Sequence, residues 1–277
     1  MMNKIKNILF GKGSSFAYAL ISFLLTVMPE GVFKYITLNA SWPDELTVLI
    51  NRVILGIILF LGVKISYCCY YKKRKKITLI EDNYKIHVQY GDILEIKDGK
   101  RVINFDECFT TKVGEAPSDI KSDSLCGQYL KENEGLNISE LISNAGIKPL
   151  KANSKYNNQQ RYESGIIVPN GDKDLLMAFA KLDKDGRGYM TYEEYINCLY
   201  KLWEQIDLYH GTKDVFVPVL GSNITRFMDC ELTQQQLLDI MIATYRLSKR
   251  KLRKPHSIHI VCKERDGFSI NNIFGLE

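Results

Sequence analysis

Apolar residues change their spacing once along this chain, near residue 72. Before that point they come in long runs. Phe16–Met28 (FAYALISFLLTVM) is the first. Extended to Ile36, it reaches the roughly 20 residues that a ~30 Å hydrocarbon layer requires. Pro29, Glu30 and Gly31 break its far end and are placed at the outer interface. The second run goes from Leu46 to about Tyr71. Its uninterrupted centre, Val53–Val63, is bracketed by Arg52 and Lys64, whose long side chains can reach headgroups. Tyr67, Tyr70 and Tyr71 sit where an aromatic belt belongs.

Beyond residue 76 the apolar stretches shorten and alternate with polar turns. Ile77–Ile80 and Tyr84–Tyr90 predict two strands joined as a hairpin by Glu81-Asp82-Asn83. Further strands are expected at Arg101–Phe105, Ser164–Val168, Asp174–Leu182, Val215–Leu220 and Ile258–Cys262. Helices are expected from Leu125 to about Asn133, at Ile138–Asn144 with Asn137 as cap, at Thr191–Asp207, and at Thr233–Lys249 with Thr233 as cap. Lys148–Arg161 has few apolar residues and reads as a loop. Strands and helices interleave, so the fold class is α/β: a transmembrane helical hairpin, then a mixed sheet with helices on both faces. The expected domains are residues 1–76 and 77–277.

Charge sharpens that division. Residues 1–76 hold 11 Lys/Arg against 3 Asp/Glu, and the remainder holds 26 against 29. The basic excess therefore belongs to the membrane part, and nothing marks the soluble part for nucleic acid. Lys4, Lys6 and Lys12 precede the first run, and Lys72-Lys73-Arg74-Lys75-Lys76 follow the second. The link Asn39–Glu45 has no Lys or Arg. Basic flanks stay on the cytoplasmic side, so both termini are expected to face the cytoplasm. A signal peptide cleaved after Ala40 is the competing reading of the first run, and it would leave one span. Glu30, Arg52 and Lys64 mark where the hydrocarbon ends, or, for Arg52, line a polar path in an oligomer. The seven cysteines (68, 69, 108, 126, 198, 230 and 262) include no CxxC pair, as expected of free thiols in a reducing compartment.

Asp183–Glu194 (DKDGRGYMTYEE) has EF-hand spacing at Asp183, Asp185, Gly188 and Glu194. Arg187 stands where an oxygen ligand belongs, a strand precedes the loop, and no second loop exists. It reads as a polar strand-to-helix turn in which Gly186 and Gly188 supply positive φ. No metal is expected.

A second constellation points to phosphate. Gly221-Ser222-Asn223-Ile224-Thr225-Arg226 follows a buried strand. Such a turn can present backbone N–H groups to an anion, with Ser222 and Thr225 adding hydroxyls and Arg226 adding charge. Gly91-Asp92, Asn104–Asp106 and Leu125-Cys126-Gly127-Gln128 are further polar or glycine clusters at strand ends or loops. Ligands of α/β sheets sit at such ends.

Gly91-Asp92-Ile93-Leu94 is similar to the GDI motif of macro domains, which bind ADP-ribose, and the Gly221–Arg226 turn resembles that family's second phosphate loop. More narrowly, the order of hairpin, GDIL, VINFDECF, SLCGQ, DKDGRG and GSNITR resembles the bacterial Thoeris anti-phage effectors that join two membrane helices to a macro domain. The resemblance implies a ligand, an ADP-ribose derivative of the histidine–ADP-ribose kind, made from NAD by a partner TIR-domain enzyme. It implies no cofactor and no catalysis. Binding would drive homo-oligomerisation and membrane disruption. The implied ligand-binding residues are Asp92 (to the adenine amino group), Ile93, Asn104, Asp106, Gly127, Gln128, Gly221, Ser222, Asn223, Thr225 and Arg226. Asn104-Phe105-Asp106-Glu107 stands where hydrolytic macro domains carry Asn- and Gly-rich loops, and Asn223 stands where glycine is often found. Two alternatives remain open: a membrane-tethered ADP-ribosyl hydrolase using Asp106 or Glu107 as base, and a passive anchor for a complex.

Overall fold

The computed structural model describes residues 12–34, 43–222 and 225–275. The chain divides into two compact units that meet in sequence at Arg74 and Lys75.

In the first unit, helix α1 (Lys12–Val27) is followed by the short α2 (Glu30–Phe33) and the long α3 (Asp44–Lys73). The expected single segment to Ile36 is interrupted, because Pro29 lacks an N–H and cannot continue the helix; residues 35–42 lie outside the described residues. Among the described residues one helix, Asp44–Tyr71, is long and apolar enough to cross a membrane by length and composition, with mean hydropathy 2.4. The apolar stretch of α1, Ala17–Val27, is shorter. The α1–α2 break and the end of α2 leave carbonyls that α3 meets. Asn51 Nδ2 donates to Phe33 O at 2.6 Å, and Arg52 Nη2 to Met28 O at 3.5 Å. The Arg52 guanidinium also lies 4.8 Å from the Phe33 ring centroid. Lys64 Nζ sits 5.3 Å from the Tyr18 ring, which stacks on Phe60. Arg52 and Lys64 thus engage groups within this unit.

The second unit is a three-layer sandwich. Its strands are β1 (Lys76–Ile80), β2 (Lys85–Tyr90), β3 (Lys100–Asp106), β4 (Ile167–Asn170), β5 (Asp174–Leu182), β6 (Gly188–Met190), β7 (Val215–Pro218), β8 (Arg226–Phe227) and β9 (Ile258–Cys262). They run in the order β1-β2-β9-β7-β3-β5-β6-β8, with β4 on β5. The five from β2 to β5 are mutually parallel, and antiparallel β1, β4 and β6 flank them. Both faces of the parallel strands are buried, as their apolar runs demand. On β5, Leu175, Met177 and Phe179 face one core with Tyr195, Trp203, Leu237 and Met241. Leu176 and Ala178 face the other, with Tyr129, Leu130 and Ile142. The first core is covered by α6 (Tyr192–Tyr209) and α7 (Gln234–Leu247), the second by α4 (Leu125–Glu132) and α5 (Ile138–Asn144).

Caps fix the helix starts. Thr191 and Thr233 form capping boxes with Glu194 and Gln236, and the Asn137 side chain accepts from Glu140 N. Two strands were not expected. β6 and β8 have three and two residues, too few to show a period, and pair with each other and β5. The segment after β5 is therefore a hairpin, and Gly188 lies in β6 rather than at positive φ; only Gly186 has φ +77°.

Across β2, β9 and β7, His87, His259 and Phe216 stack in sequence, with ring centroids 4.4 and 4.2 Å apart. His259 Nε2 is 2.9 Å from Asp214 Oδ2, and His87 Nδ1 is 2.8 Å from Thr78 Oγ1. Burial, then the neighbouring His259 and Lys76, lower the His87 pKa to about 4. Below its ordinary value of 6.5 the unfolded chain binds a proton that the folded chain refuses until about 4. Stability is therefore lost as pH falls through that window. The urea midpoint of the wild type should drop between pH 7 and pH 5, and the drop should be smaller in His87→Gln; equal drops would contradict this reading.

Candidate functional site

Because the five parallel strands point the same way, their carboxyl ends gather at one edge of the sheet. The turns leaving them enclose a cleft of about 440 Å³, within the usual range for small-molecule sites. After β2 come Gly91, Asp92 and Ile93; at the end of β3, Asn104 and Asp106; after β5, Gly186 and Arg187; after β7, Gly221 and Ser222; after β9, Lys263 and Arg265.

Most sequence-predicted residues therefore meet here. Asp92, Ile93, Asn104, Asp106, Gly221, Ser222, Thr225 and Arg226 all line the cleft. Asn223 lies outside the described residues. Gly127 and Gln128 do not line it; Ser124, Leu125 and Cys126, at the start of α4, take that wall instead. Gln128 Nε2 donates to Asp123 O at 2.7 Å. Gly127 has a different reason to be glycine: a Cβ there would lie 2.2 Å from Lys121 O. Lys121 and the preceding Ser118–Ile120 form part of the cleft wall. Gly127→Ala should push that wall, lower ligand affinity about tenfold, and cost roughly 1–3 kcal/mol of stability by overpacking. Unchanged affinity in a titration would show the wall to be unimportant.

Local bonds hold each polar group. Asp92 Oδ1 accepts from Leu94 N at 2.9 Å, which shapes the Gly91–Leu94 turn. Arg101 Nη1 holds Leu94 O at 2.6 Å from behind, and Arg101 Nε meets Asp174 Oδ1 at 2.5 Å. Gly221 has φ +78°, a conformation glycine adopts without the Cβ penalty. A Cβ there would meet the Phe227 ring at 3.1 Å. Ser222 Oγ donates to Val219 O at 2.9 Å, and Arg265 Nη1 donates to Ser222 O. Arg226 and Lys263 are exposed and have no acidic partner among the described residues.

The acids are more constrained. Asp106 Oδ1 accepts from Cys108 N at 2.8 Å, and Oδ2 from the Thr110 hydroxyl. Burial pushes the Asp106 carboxyl above its ordinary value, opposed by those bonds. Glu107 is outside the cleft lining and 2% exposed. Its carboxylate takes Ser154 Oγ at 2.6 Å, Leu182 N at 3.1 Å and Arg161 Nη1 at 3.3 Å. The Cys126 thiol lines the cleft, and burial holds it well above its ordinary pKa, so it stays protonated. The EF-hand-like acids are occupied too. Asp183 Oδ1 accepts from Asp185 N and Arg187 N, and Glu194 binds Lys181 and caps α6. The Arg187 that spoils the calcium pattern belongs to the cleft.

Sequence reasoning missed Lys121, Arg187, Lys263 and Arg265. Lys263 and Arg265 had a signal, since they directly follow β9, a strand whose bounds the sequence predicts. Together the cations and the glycine turn make an anion-receptive rim, and Phe105, Phe179 and Val261 supply apolar wall.

By its layers and the position of its cleft, the second unit is an α/β domain with a candidate site at the carboxyl ends of its parallel strands. The family model described as "Thoeris protein ThsA, Macro domain" matches residues 86–263. The Thoeris protein ThsA of Bacillus amyloliquefaciens (strain Y2) is 33% identical over 205 residues, spanning 70% of this chain and 68% of that protein. The chain belongs to the ThsA family of Thoeris proteins, with a macro domain. Among solved structures, two variants of an Oceanobacillus iheyensis macrodomain, one with ADPR, are each 9% identical, with TM-score 0.43, over 69% of this chain and 91% of theirs.

Proposed function

We propose that this chain is a membrane-bound Thoeris defence effector that senses an ADP-ribose derivative. The observation that carries the reading is the cleft itself. A positive-φ glycine turn, Arg226 and Lys263 with no acidic partner among the described residues, and the Asp92 turn converge at the cleft edge of the five parallel strands. That arrangement suits a pyrophosphate flanked by hydrogen-bonding rings, and the Thoeris family supplies ADP-ribose chemistry as the natural occupant. In this reading a TIR-domain partner makes the ligand from NAD, of the histidine–ADP-ribose kind, and only the diffusible product reaches this chain. No resident cofactor takes part.

Sensing is favoured over hydrolysis by the acids. Glu107 braces the loop around Ser154 and Arg161 away from the cleft. Asp106 spends both oxygens on Cys108 and Thr110. Both acids are thus engaged in holding local structure, which favours a binding role over a general base.

The membrane half of the proposal rests on α3 and on charge. Leu49, Ile57, Ile58 and Leu61 of α3 are each more than half exposed, as lipid-facing residues would be. The basic flanks put both termini in the cytoplasm. Two helices per chain are too few for a pore, so ligand binding must favour an assembled state, and it can do so only by differential affinity. The test is dye release from liposomes carrying the full chain. Release should require the ADP-ribose derivative and rise with protein density; a ligand-saturated chain that stays monomeric and leaves liposomes sealed would refute the effector reading.

A further inference from the structure

We propose that the loop Lys249–Lys254 forms a second anion site, for a phosphate-bearing group, at the opposite end of the sheet from the cleft. The segment Lys249-Arg250-Lys251-Leu252-Arg253-Lys254 places five cations in six residues. It precedes β9, faces the β1–β2 turn and the residues leaving α6, and lines a concavity of about 640 Å³. These are the amino ends of β2, β7 and β9, so this site shares no residue with the first.

The loop is built rather than trailing. Leu252 is 1% exposed, and its N–H donates to Tyr245 Oη at 2.9 Å. Ser248 Oγ donates to Arg250 O at 3.0 Å and accepts from Arg250 N at 3.1 Å. Lys254 N donates to Asn83 O at 3.1 Å. This framework leaves four of the five cations without an acidic partner among the described residues, Arg250 being the exception. Lys254 Nζ rests on the Glu81 and Asp82 carbonyls, and Lys251 Nζ on Ser248 O. Lys249 and Arg253 have no acidic partner among the described residues. Of the acids in the lining, Glu81 is taken by Arg246 at 2.7 Å and Asp207 by Arg250 at 3.6 Å, which leaves Asp82. His210 also lines the concavity, and its Nδ1 is buried with no hydrogen-bond partner among the described residues. Like charges held this close repel one another, and a multiply charged phosphate group relieves that repulsion while accepting from several donors at once.

Such a group can come from a soluble phosphate ester or from an anionic lipid headgroup. Hydrogen exchange on the full chain in nanodiscs separates the sources and keeps the two sites apart. In one arm sodium pyrophosphate is titrated into phosphatidylcholine nanodiscs, with sodium chloride matched for ionic strength. In the other, phosphatidylglycerol replaces part of the phosphatidylcholine. Exchange over residues 246–257 should slow severalfold in at least one arm. Protection by pyrophosphate assigns a soluble ligand; protection by phosphatidylglycerol alone assigns a headgroup. The effect should vanish in the Lys249→Gln, Arg253→Gln double variant, whose substituted side chains have no ion pair or hydrogen bond among the described residues, while the segment 218–227 at the cleft responds as in the wild type. Unchanged exchange over 246–257 in both arms, equal protection by sodium chloride, or protection retained in the double variant would overturn the proposal.

Discussion

Replacing Asp174 by alanine should destabilise the second unit by about 3–5 kcal/mol, the usual cost of stranding one member of a buried ion pair. The Arg101 and Asp174 side chains are only 8% and 11% exposed, so a lone guanidinium would have little water to turn to. For a domain of this size the melting temperature should fall roughly 10 °C. The damage should reach the cleft, because Arg101 Nη1 also holds Leu94 O, at the end of the Gly91–Leu94 turn. The double variant Arg101→Met, Asp174→Leu should recover most of the stability, since an apolar pair can replace a buried ionic one at little cost. It should not recover full ligand affinity, because Leu94 O has lost its donor. A melting shift of only a degree or two in Asp174→Ala would mean that the pair is hydrated and this account of it wrong.

A flexible insert between Arg74 and Lys75 should leave ligand binding intact and abolish most ligand-triggered dye release. Lys75 O accepts from Tyr90 N at 3.0 Å, and Tyr90 directly precedes Gly91 and Asp92. The first residue of the sensing unit is therefore bonded one step away from the ligand turn. On the other side it is joined through Arg74 to the end of α3 at Lys73. In the proposed effector reading, a shift of the Gly91–Leu94 turn on binding is passed along the chain through Tyr90, Lys75 and Arg74 to α3. On that reading the basic run at residues 72–76 is also the joint between the two units. Unaltered dye release from a chain carrying ten inserted Gly/Ser residues, about 17 Å of mean span, would contradict direct coupling.

Much of this was legible residue by residue. Asp174–Leu182 and Ile258–Cys262 form strands within the bounds expected, because each carries a short apolar stretch (Leu175–Ala180, Ile260–Cys262) between polar neighbours. The strand expected at Ser164–Val168 instead spans Ile167–Asn170. Gly165, at φ +93°, presses so close to α6 that a Cβ would lie 2.4 Å from Cys198 O, so the strand begins only beyond it. Pairing with β5 then sets its register, with Pro169 tolerated at an edge. Asp92, Gly221 and Arg226 could be picked out because their own turns carry the signal. Lys263 and Arg265 carried only the weaker signal of following β9, and it is the order β2-β9-β7 that brings them beside Asp92 and Gly221. Gly127 was legible as a special glycine; the structure places it outside the cleft lining, packed so closely that a Cβ would lie 2.2 Å from Lys121 O. The break at Pro29 was visible in sequence; that Asn51 and Arg52 meet the carbonyls around it was not.

Calorimetric titration of ADP-ribose and its histidine conjugate into the full chain in detergent tests whether the cleft binds an ADP-ribose derivative. Saturable binding of one ligand per chain is expected, weakened at least tenfold, about 1.4 kcal/mol, by Asp92→Ala and by Arg226→Ala. Absence of binding by both compounds, or affinities that neither substitution changes, would contradict this reading of the cleft.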